Sequence, residues 1–167
     1  ADDLSFNGNH GTVNNATLTT DRNGQQNSAY AFDGTTSNIR VFDSNTLDLK
    51  DNYTLAGWFQ TNDAQGTALQ TLLGKGRTGG GTGYALNYAN NGSMQAGAIA
   101  NDGASYNGGQ TGSIIGGSLW HHVAVTYNGS VAKLYIDGIF STSSNATYSL
   151  QNSTEPLYIG KELTSLP

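Results

Sequence analysis

The sequence has no cysteine, which excludes disulfide bonds, zinc–thiolate sites and cysteine nucleophiles. This absence does not assign a compartment, because many exported bacterial domains also lack cysteine. Glutamate occurs only at positions 155 and 162, and no apolar run approaches the length that crosses a membrane. No signal peptide opens the chain, and Ala1 is interpreted as a processed or engineered start.

Charge is also scarce. Only 11% of the residues are charged, and the net charge is −5 with an isoelectric point near 4.8. Such a chain cannot neutralise a run of phosphates, which argues against nucleic acid or an anionic membrane as its partner. The abundance of Asn, Gly, Ser and Thr with few lysines is typical of an extracellular bacterial module.

Proline occurs only twice, whereas glycine occurs 23 times, and no stretch has a convincing helical period. Short alternating runs separated by Gly and Asn turns are typical of an all-β domain. The length of 167 residues suits one domain with a sizeable core. We therefore predict a single domain over 1–167, without an internal repeat or a linker.

The segment 120–140 gives the clearest structural signal. Asn128-Gly129 lies between two alternating runs and predicts a hairpin with a type I′ turn, and Asp137-Gly138 marks a second turn. The segment is therefore predicted to be a three-stranded antiparallel meander. Every second residue of its first strand should share one face: Val123, Val125 and Tyr127.

Further short strands are predicted along the chain, at the near-regular spacing that is typical of a sandwich or barrel. Trp58 lies in the middle of one of them within an apolar pattern, and it is predicted to lie in the core. Two glycine-rich stretches, 76–83 and 101–112, are predicted to be loops. Residues 45–51 are predicted to form a loop or a single helical turn. The predicted strands cover 11–14, 29–33, 39–42, 53–60, 69–75, 84–88, 93–99, 147–150 and 156–160.

Six segments together resemble a known family. They are DDLSFNGNHGTV at 2–13, SAYAFDGTTSNIRV at 28–41, YTLAGWFQ at 53–60, LLGKG at 72–76, LWHHVAVTYNGSVAKLYIDG at 119–138 and PLYIGK at 156–161. In this order they resemble the laminin-G-like, concanavalin A-like jelly-roll family of bacterial surface proteins and carbohydrate-active enzymes. The resemblance implies two antiparallel sheets packed face to face. It also implies carbohydrate binding, adhesion, or a non-catalytic module beside an enzyme.

The match to the family is incomplete at both ends of the sequence. Family members carry a strand before the segment at Asp2 and a closing strand after PLYIGK, and those two strands are neighbours. Without them the sheet has an open edge with unpaired backbone groups. We therefore predict a jelly-roll sandwich that lacks the family's terminal strands. It would be a fragment, a cleaved product, or a domain completed by a partner chain or segment.

The resemblance also implies a structural calcium ion in the loops around DDLSFNGN and FDG. Calcium prefers oxygen ligands, and the candidates here are Asp3, Asn7 and Asp33. Phe6 stands where the family often has glycine, which could alter the loop, and the missing acidic strand could remove a ligand. The alternative is that Asp3 and Asp33 accept hydrogen bonds from the backbone of their own turns.

A sugar site needs an apolar ring surrounded by polar groups, and loops on a rigid sandwich are where binding sites usually lie. The two glycine-rich loops and their borders provide both kinds of residue. Tyr84 and Tyr88, four residues apart on one strand face, could instead be ordinary sheet packing, whereas no strand pattern surrounds Tyr106. The predicted ligand-binding residues are Arg77, Tyr84, Tyr88, Asp102, Tyr106 and Asn107.

Catalysis has little support in the sequence. Retaining glycoside hydrolysis needs two carboxylates about 5–5.5 Å apart, but both glutamates lie near turns or the tail, and Asp43 and Asp48 lie in a loop. His121 and His122 are adjacent and point to opposite strand faces, so they cannot easily share a metal ion. The leading hypothesis is therefore a non-catalytic extracellular carbohydrate-binding or adhesion module. The alternatives are a structural module completed by a partner segment and, less favoured, a polysaccharide-acting enzyme.

Overall fold

Strands dominate the computed structural model, which describes residues 1–62, 69–76, 83–89, 91–99, 106–110, 117–145, 150 and 152–161. Of residues 97–99 and 106–110 the backbone alone is described. The strands are β1 (Gly11–Asn14), β2 (Thr17–Thr19), β3 (Ala29–Ala31), β4 (Asn38–Val41), β5 (Asn52–Gln60), β6 (Gln70–Lys75), β7 (Gly83–Tyr88), β8 (Met94–Ile99), β9 (Tyr106–Gln110), β10 (Trp120–Asn128), β11 (Val131–Ile136), β12 (Ile139–Asn145) and β13 (Leu157–Ile159).

Two antiparallel sheets form the body of the structure. The larger sheet has seven strands in the order β1-β4-β13-β6-β7-β8-β9, and the smaller sheet has four in the order β12-β11-β10-β5. β2 and β3 form a separate two-stranded pair. At one side β9 of the larger sheet approaches β11 and β12 of the smaller sheet.

The core lies between the two sheets. Val123, Val125 and Tyr127 of β10 are buried, as their alternation predicts. They belong to the same packed cluster as Leu86 of β7 and Met94 of β8. Burial of each such aliphatic side chain contributes about 1.5–3 kcal/mol. The predicted sandwich of two antiparallel sheets is therefore confirmed.

The predicted meander at 120–140 is also confirmed, and its second turn has type I′ geometry. Asp137 and Gly138 have φ angles of 51° and 79°, and the flanking residues Ile136 and Ile139 pair with each other. Positive φ at both central residues matches the right-handed twist of the two strands.

The first turn of the meander closes in a different way from the prediction. Gly129 has a φ angle of 86°, but Asn128 is not among the described residues with positive φ. Instead, the Oδ1 atom of Asn128 accepts hydrogen bonds from the N–H groups of Ser130 and Val131. The type I′ prediction at Asn128-Gly129 was therefore wrong, because a side-chain cap rather than a pair of positive φ angles holds this turn.

Two predictions about aromatic residues were also wrong. Residues 101–112 were predicted to be a loop, but Tyr106 begins β9, where it pairs with Ile99 of β8. Trp58 was predicted to lie in the core, but 46% of it is exposed. It occupies the outer face of β5 because the alternating residues Leu55 and Phe59 take the inner face.

The predicted helical turn is present as a 3-10 turn at Asn45–Leu47. Its cap is Ser44, whose Oγ accepts the N–H of Thr46. Within the described residues, no helix is long and apolar enough to cross a membrane.

Candidate functional site

The ends of the two predicted binding loops meet at one end of the larger sheet. In the backbone register Gly83 pairs with Ile99, and Ile99 pairs with Tyr106. The strand ends that border the two loops therefore lie side by side, on adjacent strands. Of the predicted ligand-binding residues, Arg77 and Asp102 lie outside the described part of the chain.

Tyr84 and Tyr88 are buried in the core, with 4% and 0% of their surface exposed. The hydroxyl of Tyr84 donates a hydrogen bond of 2.9 Å to the carbonyl of Leu47. Burial, and then the charges of Asp48 and Asp43, raise the pKa of this hydroxyl above its usual range. Tyr84 and Tyr88 are therefore packing residues of the sheet, as the alternative interpretation stated. Neither presents an exposed ring face to a sugar.

Tyr106 and Asn107 are consecutive residues of β9. Because consecutive strand residues alternate between the faces of a sheet, these two positions lie on opposite faces. They cannot both belong to one site on one face. Tyr106 shares the outer face of the larger sheet, the face turned away from the core, with the alternating residues of β7 and β8.

The outer face of the larger sheet carries an unusual amide in its middle. Asn87 alternates with Leu86 and Tyr88, which face the core. The side chain of Asn87 is fully buried, and neither Nδ2 nor Oδ1 has a hydrogen-bond partner among the described residues. A buried polar group left without a partner costs about 1–3 kcal/mol. In the register, Thr71 and Gln95 flank Asn87 and extend a polar row across three strands.

A strip of small residues crosses the same face beside this polar row. Gly74 pairs with Ala85, Ala85 pairs with Gly97, and Gly97 pairs with Gly108. With neighbouring strands about 4.8 Å apart, the small-residue strip is about 14 Å long. No side chain larger than a methyl group rises from it, and Gly74 and Ala85 are buried, so this part of the strip is covered as Asn87 is.

The strip continues at its far end into aromatic and cationic groups. Tyr158 pairs with Gly74 on one side and with Arg40 on the other. The Arg40 guanidinium lies 4.7 Å from the ring centre of Phe42, and Nζ of Lys161 lies 4.7 Å from that of Tyr158. The buried Nε of Arg40 has no hydrogen-bond partner within the described residues. This end of the face therefore offers N–H donors beside rings.

The carboxylate of Asp33, one of the predicted calcium ligands, closes its own turn. Its Oδ1 accepts hydrogen bonds from the N–H groups of Thr35, Thr36 and Ser37, and its Oδ2 accepts the Thr36 hydroxyl. The bond from the Thr36 hydroxyl, followed by those from the N–H groups of Ser37 and Thr35, holds the pKa of Asp33 well below its usual range.

Asp3 and Asn7 have similar local roles in the first loop. The N–H groups of Ser5 and Asn9 donate to Oδ1 and Oδ2 of Asp3, each at 2.8 Å, and Nδ2 of Asn7 donates to Oγ of Ser5. Hydrogen bonds from Ser5, and then from Asn9, lower the pKa of Asp3 to about 2. In the described part of the chain, no three His, Asp or Glu side chains lie close enough to share a metal ion. These oxygens close their own turns, which is the alternative interpretation, and the calcium site stays a prediction.

Sequence reasoning missed Asn87 and the small-residue strip. The available signal was the alternation of Asn87 with Leu86 and Tyr88, which puts one polar residue on the outer face of β7. The strip itself has no local signal, because its members come from four strands and only their register brings them together.

A family model matches residues 33–165, which run from the turn before β4 to beyond β13. Its description is the concanavalin A-like lectin/glucanases superfamily. The chain belongs to this superfamily. No protein among those with curated descriptions matches the sequence.

Solved structures of similar fold include several sugar-bound domains. The ligand-binding domain of botulinum neurotoxin serotype D in complex with N-acetylneuraminic acid aligns with a TM-score of 0.70 at 15% identity. The alignment covers 95% of this concanavalin A-like chain but only 39% of the toxin chain. This chain therefore spans well under half of that relative.

Two smaller domains are also similar. Domain 4 of AbnA, an extracellular arabinanase from Geobacillus stearothermophilus, in complex with arabinotriose, has a TM-score of 0.59 at 17% identity, over 86% of this chain and 72% of that domain. A carbohydrate-binding module of the Ruminococcus gnavus IT-sialidase, bound to α2,3-sialyllactose, has a TM-score of 0.53 at 16% identity, over 71% of this chain and 68% of that one. At these identities the similarity establishes the fold.

Proposed function

We propose that this concanavalin A-like domain is a non-catalytic, extracellular carbohydrate-binding module that holds a glycan on the outer face of its larger sheet. The unpartnered amide of Asn87 is the observation that carries the proposal. A sugar hydroxyl both donates and accepts hydrogen bonds, so adjacent hydroxyls can satisfy Oδ1 and Nδ2 together. Membership of a superfamily that includes lectins, and similar folds that are bound to saccharides, support the same function.

The surroundings of Asn87 suit a sugar ring. Once the covering groups are displaced, the small-residue strip would let a pyranose or furanose ring approach the backbone closely, and Thr71 and Gln95 would offer further hydrogen-bonding groups beside it. The rings of Tyr158 and Phe42, which contact Lys161 and Arg40, add apolar surface for C–H contacts at the end of the strip. Because Asn87 is fully buried, the bound sugar must displace what covers the amide.

The carboxylates of Asp43 and Asp48, which share one cation, support a role without catalysis. Asp43 and Asp48 both contact the ammonium group of Lys75, at 2.8 and 3.1 Å. One ammonium group holds both carboxylates and Asp48 is nearly buried, so the pair is placed to hold the fold together and not to present two carboxylates to a glycosidic bond. Absence of product after incubation with a polysaccharide panel is the expected result, and release of reducing ends would contradict it.

The test of binding is calorimetric titration of the wild-type protein and an Asn87→Leu variant with arabinotriose and with the neutral hits of a broad glycan array. Leu has a similar volume and removes both unpartnered groups, so we expect unchanged or higher stability and at least a tenfold loss of affinity. Ser143→Ala, on exposed β12, is the matched control and should bind like wild type. Equal binding by wild type and Asn87→Leu would show that the glycan does not bind on the outer face of the larger sheet. A wild-type protein that binds no glycan would overturn the function.

A second function, an interaction module completed by a partner segment, is favoured by the edge strand β5. This strand has nine residues and pairs only with β10 among the described strands. It contains no charged residue and no proline, so it lacks the features that usually block addition of a further strand. Sedimentation over a wide concentration range should then show association, and Thr54→Lys should reduce it. A monomer at every concentration would exclude self-association through this edge.

A further inference from the structure

The outer face of the smaller sheet carries an exposed aromatic surface. Trp58 is opposite His122 in the β5–β10 register, and their ring centres are 5.1 Å apart. Two residues further along β5 on the same face, Ala56 pairs with Ala124 of β10. This row of paired residues continues across the sheet to Tyr135 of β11 and Phe140 of β12. The two alanines form a low floor between Trp58 and the Tyr135–Phe140 pair, and we call these six residues the Trp58 face.

The Trp58 face is bordered by cations. The Arg22 guanidinium lies 4.3 Å from the centre of the Trp58 ring. Lys133, on β11, is exposed between two buried neighbours and therefore lies on the same side of the sheet. From strand geometry, Lys133 is about 17 Å from Trp58, which is the length of a short oligosaccharide. Within the described residues, neither cation forms an ion pair with a carboxylate.

The nearby carboxylates are engaged elsewhere. Oδ1 of Asp21 accepts hydrogen bonds from the N–H groups of Asn23 and Gln25. Asp137, at the end of the face, contacts Nδ1 of His121 and accepts the N–H of His122. Nη1 of Arg22 also donates to Oδ1 of Asn23 at 3.3 Å. A protein with a net charge of −5 thus presents, beside an exposed indole, two cations that form no direct ion pair within the described residues. This arrangement is complementary to an anion that also has an apolar surface.

We propose that the Trp58 face binds a carboxylate-bearing saccharide. The guanidinium of Arg22 presents paired N–H groups of the kind that bind a carboxylate through two oxygens. The exposed part of the indole offers a surface to the C–H face of the sugar ring, and the alanine floor leaves room for the ring. The inference is that the chain has a second glycan surface selective for acidic sugars, and it rests on the proposed carbohydrate-binding function. An alternative role of the Arg22–Trp58 contact is only to hold the 20–28 loop on the sheet.

The experiment compares α2,3-sialyllactose with lactose, which differs from it only by lacking the acidic sugar. We expect wild type to bind sialyllactose at least tenfold more tightly than lactose, with an affinity that falls as salt concentration rises. Trp58→Ala should abolish this binding. Arg22→Gln should remove the preference for sialyllactose over lactose. Arg22→Lys keeps the charge but loses the paired N–H groups, so it should retain only part of that preference. Because Trp58 and Arg22 are exposed, all variants should fold, which melting curves check.

The control is Phe6→Ala, which removes an exposed ring that lies outside both proposed surfaces. Sialyllactose binding that survives Phe6→Ala and is lost in Trp58→Ala supports the Trp58 face. Equal sialyllactose binding by wild type and Trp58→Ala would overturn this inference and leave the proposed function standing. Self-association of the wild type that Trp58→Ala abolishes, without a preference for sialyllactose, would identify the face as a protein contact and also overturn it. Failure to bind any glycan would remove both proposals.

Discussion

Nζ of Lys75 lies 3.1 Å from Oδ1 of Asp48, and both side chains are nearly buried, with 2% and 8% exposed. The same ammonium group lies 2.8 Å from Oδ1 of Asp43 and donates to the carbonyl of Ser153. One cation therefore joins β6 to the segment after β4 and to the segment before β13. The ammonium group thus ties two non-strand segments to the paired strands β4, β13 and β6 beside them.

Replacing Lys75 should strongly destabilise the domain. Lys75→Met leaves the buried carboxylate of Asp48 without its cation, and breaking a buried ion pair in this way costs about 3–5 kcal/mol. Urea unfolding measures the free energy difference. The exposed Lys133→Met is the control and should change stability by no more than about 0.5 kcal/mol. A loss below about 1 kcal/mol for Lys75→Met would show that the pair is replaceable by apolar packing.

Asp33→Ala should lower the melting temperature at neutral pH and have less effect in acid. The folded chain holds the pKa of Asp33 below its usual value of 3.8, so the fold favours the charged carboxylate. The stabilisation is complete above about pH 4 and is lost as pH falls towards the folded pKa. Melting curves between pH 7 and pH 2 should therefore converge for wild type and variant. Asp51→Ala, on the exposed surface, should follow wild type, and a constant gap for Asp33→Ala at all pH values would contradict the argument.

Gly160→Ala should destabilise the domain because Phe32 leaves no room for a side chain. Gly160 has a φ angle of 75°, and an added Cβ would lie 2.9 Å from Cγ of the Phe32 ring. Positive φ and overpacking together should cost about 1–3 kcal/mol. Gly57→Ala is the control, since no atom lies within 4 Å of its Cβ position and its φ is not positive. Chemical denaturation should separate the two variants, and equal stabilities would refute the steric explanation.

Calcium should leave the melting temperature unchanged, because the described residues bring no three carboxylate or imidazole groups together. The carboxylates of Asp3 and Asp33 accept backbone N–H groups and close two turns, so a calcium ion would have to share oxygens that are already in use. Melting in excess Ca²⁺ and in EDTA measures the difference directly, because a ligand of the folded state raises the midpoint. A calcium-dependent rise that Asp33→Ala abolishes would establish the site that the family resemblance implies.

Local pattern was sufficient for much of the sandwich. The alternation of Val123, Val125 and Tyr127 identified both the strand and its buried face, because one side chain in two must leave water. The two turns of the meander were located by their Asn-Gly and Asp-Gly pairs. The type I′ geometry predicted at Asn128-Gly129 was wrong, because Asn128 can cap a turn through its side chain as well as adopt positive φ. For the predicted sugar site, the local pattern located the two glycine-rich stretches near the strand ends. It did not identify the outer face of the larger sheet, where Asn87 lies.

The sequence by itself determined the sandwich class, the core alternation and the positions of the turns, because these depend on neighbours within a few residues. The tertiary structure alone decided that Trp58 is exposed, that Tyr106 lies in a strand, and that Asn87 is buried without a hydrogen-bond partner among the described residues. Each of these depends on which distant segment covers a sheet face or pairs with a strand. A residue's face follows from its own strand, but its burial follows from what the rest of the chain places on that face.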